Sequence, residues 1–145
     1  MKMKRLSSLV IVICCVALLG GLLYRVFGRA IRYEIPGGFK GWLLVRWDDQ
    51  RCLPLRRQGM FLLLSFPRSD VACTSTPRFA DLTYLRFEYV FPDGTRQSLR
   101  WNEHGKPGTQ VWLLGYSEQD KSDEIFVGDE HEDWNRYPKP ATERR

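Results

Sequence analysis

Hydrophobic positions follow two regimes along this chain. Leu6 to Tyr24 (LSSLVIVICCVALLGGLLY) is an unbroken run of nineteen residues without a charge. Built as a helix at about 1.5 Å per residue it spans roughly 28 Å, close to the roughly 30 Å hydrocarbon core of a bilayer. Beyond residue 30 the apolar positions come instead in short runs separated by breakers. Ile31 to Ile35 alternates and closes on Pro36, Gly37 and Gly38; Gly41 to Trp47 is rich in strand formers and ends at Asp48-Asp49. Met60 to Phe66 is continuously apolar and too short for a helix, as a strand covered on both faces would be. Tyr84 to Phe91 alternates strictly, with Leu85, Phe87, Tyr89 and Phe91 on one face and Tyr84, Arg86, Glu88 and Val90 on the other. Pro92, Asp93 and Gly94 then make a hairpin turn back into Thr95 to Trp101. Runs at Thr109 to Gly115 and Glu124 to Val127 complete about seven strands.

The pattern predicts an all-β fold, an antiparallel β-sandwich of about seven strands, preceded by an N-terminal transmembrane helix. One short C-terminal helix is expected over Asp129 to Arg136, with Asp129 as N-cap and Glu132 as its capping-box partner. Three segments follow: residues 1–30 as membrane anchor or signal segment, 31–136 as an extracytoplasmic sandwich domain, and 137–145 as a loose tail.

Charge sharpens the first segment. Residues 1–30 carry five basic and no acidic side chains, so the apolar run is flanked by cations at both ends. A secretory signal has a basic start, an apolar run of about 7–15 residues and a small-x-small cleavage site. The run here is longer, and the available site, Gly28-Arg29-Ala30, contains an arginine. An uncleaved single-pass anchor in the bacterial cytoplasmic membrane is therefore expected, with residues 6–24 in the bilayer and the sandwich outside. The alternative is a secreted or periplasmic protein after cleavage. Lipidation at Cys14 or Cys15 lacks the small residues a lipoprotein site wants in front.

The same distribution argues against nucleic acid as a partner. The chain carries +5, yet residues 31–145 hold seventeen basic and seventeen acidic residues, so the domain itself is neutral (17 − 17). A basic footprint for DNA or RNA is absent. Residues 31–116 net +4 (12 − 8) and residues 117–145 net −4 (5 − 9), which suggests an acidic end folded back or simply solvated.

Cys52 and Cys73 stand in turn-like contexts. In an oxidising compartment such a pair most often bonds, and closing a loop of about twenty residues stabilises the fold by roughly 3 kcal/mol in the chain-entropy account. A two-cysteine metal site is the alternative, but no histidine lies near and the spacing fits no zinc pattern.

An ordered series of segments also resembles a known family. Tyr33 to Gly41 (YEIPGGFKG) followed by an aliphatic strand, Cys52 to Leu55 (CLPL), Phe61 to Phe66 (FLLLSF), Cys73 to Ser75 (CTS), Val111-Trp112 and Ile125 to Glu130 (IFVGDE) resemble the bacterial domain of unknown function 6843. The likeness covers roughly Tyr33 to Arg136. It implies an exported β-rich domain with no assigned activity and no catalytic residues to carry over. The long apolar span departs from simple secretion.

No catalytic constellation is legible. His104 and His131, the only histidines, have no ligand-spaced partner. The acidic stretch Asp129 to Asp133 lacks the alternating spacing and central glycine of a calcium loop. Neither a Gly-x-Ser-x-Gly elbow nor a His-Glu-x-x-His motif occurs. No phosphate loop is present, and no cofactor is expected. Asp48, Asp49 and Glu103 are the carboxylates from which a glycosidase-like pair would be drawn. What remains is binding: Arg46, Arg86, Arg96 and Arg100 lie in strands, with Trp42 and Trp101 nearby, a composition enriched where proteins recognise partners. The bland reading places the tryptophans in the core and the arginines on polar strand faces. The sequence therefore leans towards a non-catalytic interaction module at the cell envelope, with an envelope protein or glycan as partner. A carboxylate-dependent envelope hydrolase acting on polysaccharide or peptide is the alternative.

Overall fold

The computed structural model describes residues 12–21, 30–66, 69–79 and 84–140. Residues 12–21 are helical. No helix among the described residues is long and apolar enough to cross a membrane. The expected span, residues 6–24, runs at both ends into positions outside the described residues, as does most of the 1–30 segment.

The described part of the domain is built from nine strands in two sheets. In chain order they are β1 (Ala30–Pro36), β2 (Gly41–Arg46), β3 (Arg56–Gln58), β4 (Phe61–Ser65), β5 (Val71–Cys73), β6 (Tyr84–Val90), β7 (Arg96–Leu99), β8 (Gln110–Ser117) and β9 (Ser122–Gly128). The first sheet has the order β3-β4-β1-β6-β7 and the second β5-β2-β9-β8. The sandwich layering expected from the pattern is present, but both sheets are mixed. β1 lies parallel to β4 on one side and to β6 on the other, and β2 lies parallel to β5.

The physical reason is the path after β1. Parallel neighbours need long crossovers, and the opposite sheet supplies them. Gly37 donates its N–H to Val90 O, Phe39 donates to Pro36 O, and the chain leaves β1 for the other layer. A Cβ on Gly37 would sit 2.3 Å from the Phe91 ring, so the crossing has room for glycine alone. β3 and β5, which the pattern did not reveal, are three-residue edge strands, too short for any alternation to register.

The two sheets enclose one core. Ile31, Tyr33, Ile35, Phe87 and Tyr89 face Leu43, Val45, Trp47, Val111, Ile125 and Val127. Burial raises the Tyr89 hydroxyl to about 12, and it donates to Phe39 O at 2.6 Å. A second, smaller cluster of Trp42, Trp112 and Phe126 lies on the far side of the second sheet under Trp134 and Tyr137. The expected helix there is one 3-10 turn, Trp134–Arg136, capped by Asp133 rather than Asp129. The box contact itself exists, since Asp129 N–H donates to Glu132 Oε2 at 3.1 Å. Pro138, with its missing N–H, follows too soon for an α-helix to grow. The expected loose tail is docked at its start: Tyr137 packs 5.4 Å from Phe126, and Lys139 Nζ sits 4.2 Å from the Trp42 ring centroid. Residues 141–145 lie outside the described residues.

Cys52 and Cys73 form a disulfide with Cα atoms 5.9 Å apart. It fastens the loop after β2 to β5, where Asp49 N–H also donates to Thr74 O and Ser75 N–H to Leu53 O.

Candidate functional site

Strand alternation turns Arg32 and Glu34 of β1, and Arg86 and Glu88 of β6, away from the core. The parallel register sets Arg32 opposite Arg86 and Glu34 opposite Glu88. Like charges thus face like charges across the strands, which is unfavourable by itself. One contact along β6 and one across to β1 resolve it. Arg86 Nε lies 2.5 Å from Glu88 Oε1, and Arg32 Nε lies 3.8 Å from Glu88 Oε2. Arg96, delivered by the β6–β7 hairpin opposite Val90, reaches both acids: Nη1 is 3.0 Å from Glu88 and Nη2 is 2.7 Å from Glu34. Ser65 on β4 donates its hydroxyl to Glu34 Oε2 at 2.6 Å.

Glu88 is only 3 % exposed beneath these guanidinium groups, whereas Arg86 and Arg96 remain 43 % and 39 % exposed. Burial pushes the Glu34 carboxyl up, but the Ser65 hydroxyl and the Arg96 guanidinium outweigh it and hold it below its ordinary value. Among the described residues Glu34 Oε1 makes no aligned hydrogen bond, and its contact with Arg96 is an ion pair. Arg32 Nε, among the described residues, is buried without a hydrogen-bond acceptor, and its guanidinium carbon lies 4.4 Å from the Phe61 ring centroid.

Glu34 and Ser65 also border a pocket of about 450 Å³ at the carboxyl ends of the parallel strands. Ile35, Pro36, Phe66, Val90 and Phe91 supply its apolar walls. Its size and lining, apolar with a few converging polar groups, match those of small-molecule sites.

The predicted binding residues do not form one face. Arg86 and Arg96 meet in the network just described. Trp42 and Arg46 lie on the second sheet; Trp42 is buried and donates its Nε1–H to Trp134 O at 3.1 Å. Arg100 follows β7 and donates to Pro107 O at 2.6 Å. Trp101, 42 % exposed, bridges to Val111 with its ring 6.2 Å from Phe87. Arg32, Glu34 and Ser65 were not among the predicted residues. The alternation of Ile31 to Ile35 already placed Arg32 and Glu34 on a polar side; what the sequence lacks is the identity of the strands beside it.

The remaining acids are engaged separately. Asp48 pairs with Lys121, Asp49 with Arg51, and Glu103 lies 3.9 Å from Arg100. The acidic C-terminal stretch folds back onto a nearby loop: Glu130 meets His104 Nδ1 and Gly105 N–H, both at 2.6 Å, and Asp129 accepts from Gly108 N–H at 2.8 Å. Among the described residues no group of three or more His, Cys, Asp or Glu is placed to hold a metal ion.

No family model matches the chain, and no curated protein does. It is similar in structure to the crystal structure of a "Putative Lipoprotein from Bacillus anthracis", with 18 % sequence identity over 69 % of each chain and a TM-score of 0.48.

Proposed function

We propose that this chain is a membrane-anchored, extracytoplasmic, non-catalytic binding module of the bacterial cell envelope. It recognises an envelope protein or glycan through the first sheet's charged face and the pocket beside it. The observation carrying this reading is the network of Arg32, Glu34, Arg86, Glu88 and Arg96 bordering an apolar pocket of about 450 Å³. Buried Glu88 and partly buried Glu34 fix the exposed arginines in place, so little side-chain freedom is lost when a partner docks. The anchor rests on the uncharged run of residues 6–24 between basic flanks.

The rival hydrolase needs one carboxylic acid whose pKa is raised so that it can donate a proton near neutral pH. Every described carboxyl with a displaced titration is displaced downward: Glu34, Asp48, Asp49, Asp93, Asp129, Glu130 and Glu132. Asp49 is drawn to about 2 by its hydrogen bonds from Arg51. These groups suit ion pairing rather than proton donation.

The full chain tests both parts. It is expected in the membrane fraction after alkaline carbonate extraction. It is also expected to be retained on immobilised cell-wall glycan or an envelope-protein extract, with retention about tenfold weaker for Arg96→Ala, roughly 1.4 kcal/mol. Carbonate-soluble protein sinks the anchor. Equal retention of Arg96→Ala, or none for the natural chain, sinks the binding face.

A further inference from the structure

The second sheet turns an acidic side chain towards the core. Asp123 of β9 stands opposite Val45 in the β2 ladder, with core residue Ile125 two positions on. Its Oδ2 accepts from Trp47 Nε1 at 2.8 Å, and both carboxylate oxygens lie 3.1 Å from Arg78 Nε. The Arg78 guanidinium lies over the Tyr116 ring, 4.4 Å from its centroid. Since Asp123 takes Nε, the two Nη amino groups of the fork remain for another acceptor; among the described residues none is bonded to them.

A cavity of about 170 Å³ opens at this pair, lined by Tyr33, Arg78, Asp123, Leu85, Leu113 and Gly115 among others. The sheet is interrupted there by a bulge between Leu113 and Gly115, with Gly115 at φ +140°, a conformation that favours glycine. Bulges of this kind recur beside binding sites, where they bend a strand aside. Asp123 is nearly buried while Arg78 keeps 27 % of its side chain exposed. A polar pair thus borders a concave, partly apolar wall opened by a bulge, an arrangement suited to a binding site.

We propose that this cavity binds a compact neutral acyl ligand: a carbonyl or amide oxygen carried on an apolar body about the size of a benzene ring. Size follows from volume, since a cavity of about 150 Å³ accommodates benzene. Polarity follows from the donors. Arg78 and Tyr33 both line the cavity and offer Nη groups and a hydroxyl as donors, and Tyr33 keeps its proton because burial and the Asp123 charge both raise its pKa. Neutrality follows from the pair itself. Arg78 and Asp123 cancel, so an anion meets the Asp123 carboxylate and a cation meets the guanidinium in a poorly solvated space. Leu85 and Leu113 form the apolar side.

The test uses the full chain in phosphatidylcholine nanodiscs with carbon-13-labelled leucine methyls. Benzamide is the probe, with benzene and benzoate as comparison arms. Saturable shifts are expected at the Leu85 and Leu113 methyls but not at Leu43, which does not line the cavity. Benzamide is expected to bind at least about tenfold more tightly than either comparison compound. Tyr33→Phe keeps the ring and the fold, and is expected to weaken benzamide severalfold without changing benzene. Unsaturable shifts, or shifts shared with Leu43, overturn the site. Preference for benzoate or benzene overturns the ligand class, and unchanged benzamide binding by Tyr33→Phe overturns the donor assignment.

Discussion

Glu88 shows how a single charge is accommodated in this fold. It lies on the polar side of β6, yet three arginines close over it until it is 3 % exposed. Replacing it by a neutral amide keeps one acceptor oxygen of the two the guanidinium groups share and turns an NH2 donor against them. Glu88→Gln is therefore expected to destabilise the domain by about 1–3 kcal/mol, measured by urea denaturation. Arg96→Lys should share part of that loss, because an ammonium cannot bridge two acids as a planar fork does. Glu34 carries the pH dependence of the same network. Its folded pKa lies below the ordinary 4.5, so the unfolded chain binds the proton more tightly. Its contribution to stability is complete above about pH 4.5 and is lost as pH falls through the folded value. Thermal melts from pH 7 to pH 3 should show this decline, and Glu34→Gln should flatten it. The Glu88–Arg96 part of the network was legible in the sequence, since a two-residue period and a Pro-Asp-Gly turn place the two residues near each other. The Arg32–Glu34 half was not, because nothing local to Ile31 to Ile35 says which strands will flank it.

At the scale of elements, the long strands were readable and their partners were not. Apolar alternation reports the face a residue occupies, as in β1 and on the core side of β6, whereas β2 and β9 are buried on both faces. Direction of pairing depends on where the chain goes between strands. Pro36, Gly37 and Gly38 read only as breakers that close a strand; they carry the chain between layers, and so β1 acquires parallel neighbours on both sides. Gly37 is the pivot of that crossing. Gly37→Ala pushes a methyl into the Phe91 ring and should cost about 1–3 kcal/mol, with altered Phe91 ring resonances in proton NMR. The C-terminal acids were legible as a capped turn, but the length of the helix was not. That was decided by Asp133 capping late and by Trp134 docking on Trp42 and Phe126.

For the whole molecule, the two-layer division and the Cys52–Cys73 bond were both foreseeable, the first from many short strands and the second from paired cysteines beside an export-like N-terminus. The bond closes a separation of 21 residues and holds the loop after β2 against β5. Replacing both cysteines by serine should lower stability by roughly 3 kcal/mol, read as a shift in chemical denaturation that reductant reproduces in the natural chain. The distribution of arginine and tryptophan over the molecule was not foreseeable. Alternation assigns each to a side of its own strand, but only the strand order decides that Trp42 and Arg46 belong to one sheet while Arg86 and Arg96 belong to the other.

The position of β1 has a mechanical consequence. The strand that opens the domain at Ala30 is not at a border but in the middle of its sheet, clasped by β4 and β6 running the same way. Tension arriving from the preceding residues is loaded along the central strand. It must slide two hydrogen-bonded ladders at once rather than peel one open bond by bond, which makes the domain a firm grip on whatever pulls from its N-terminal side.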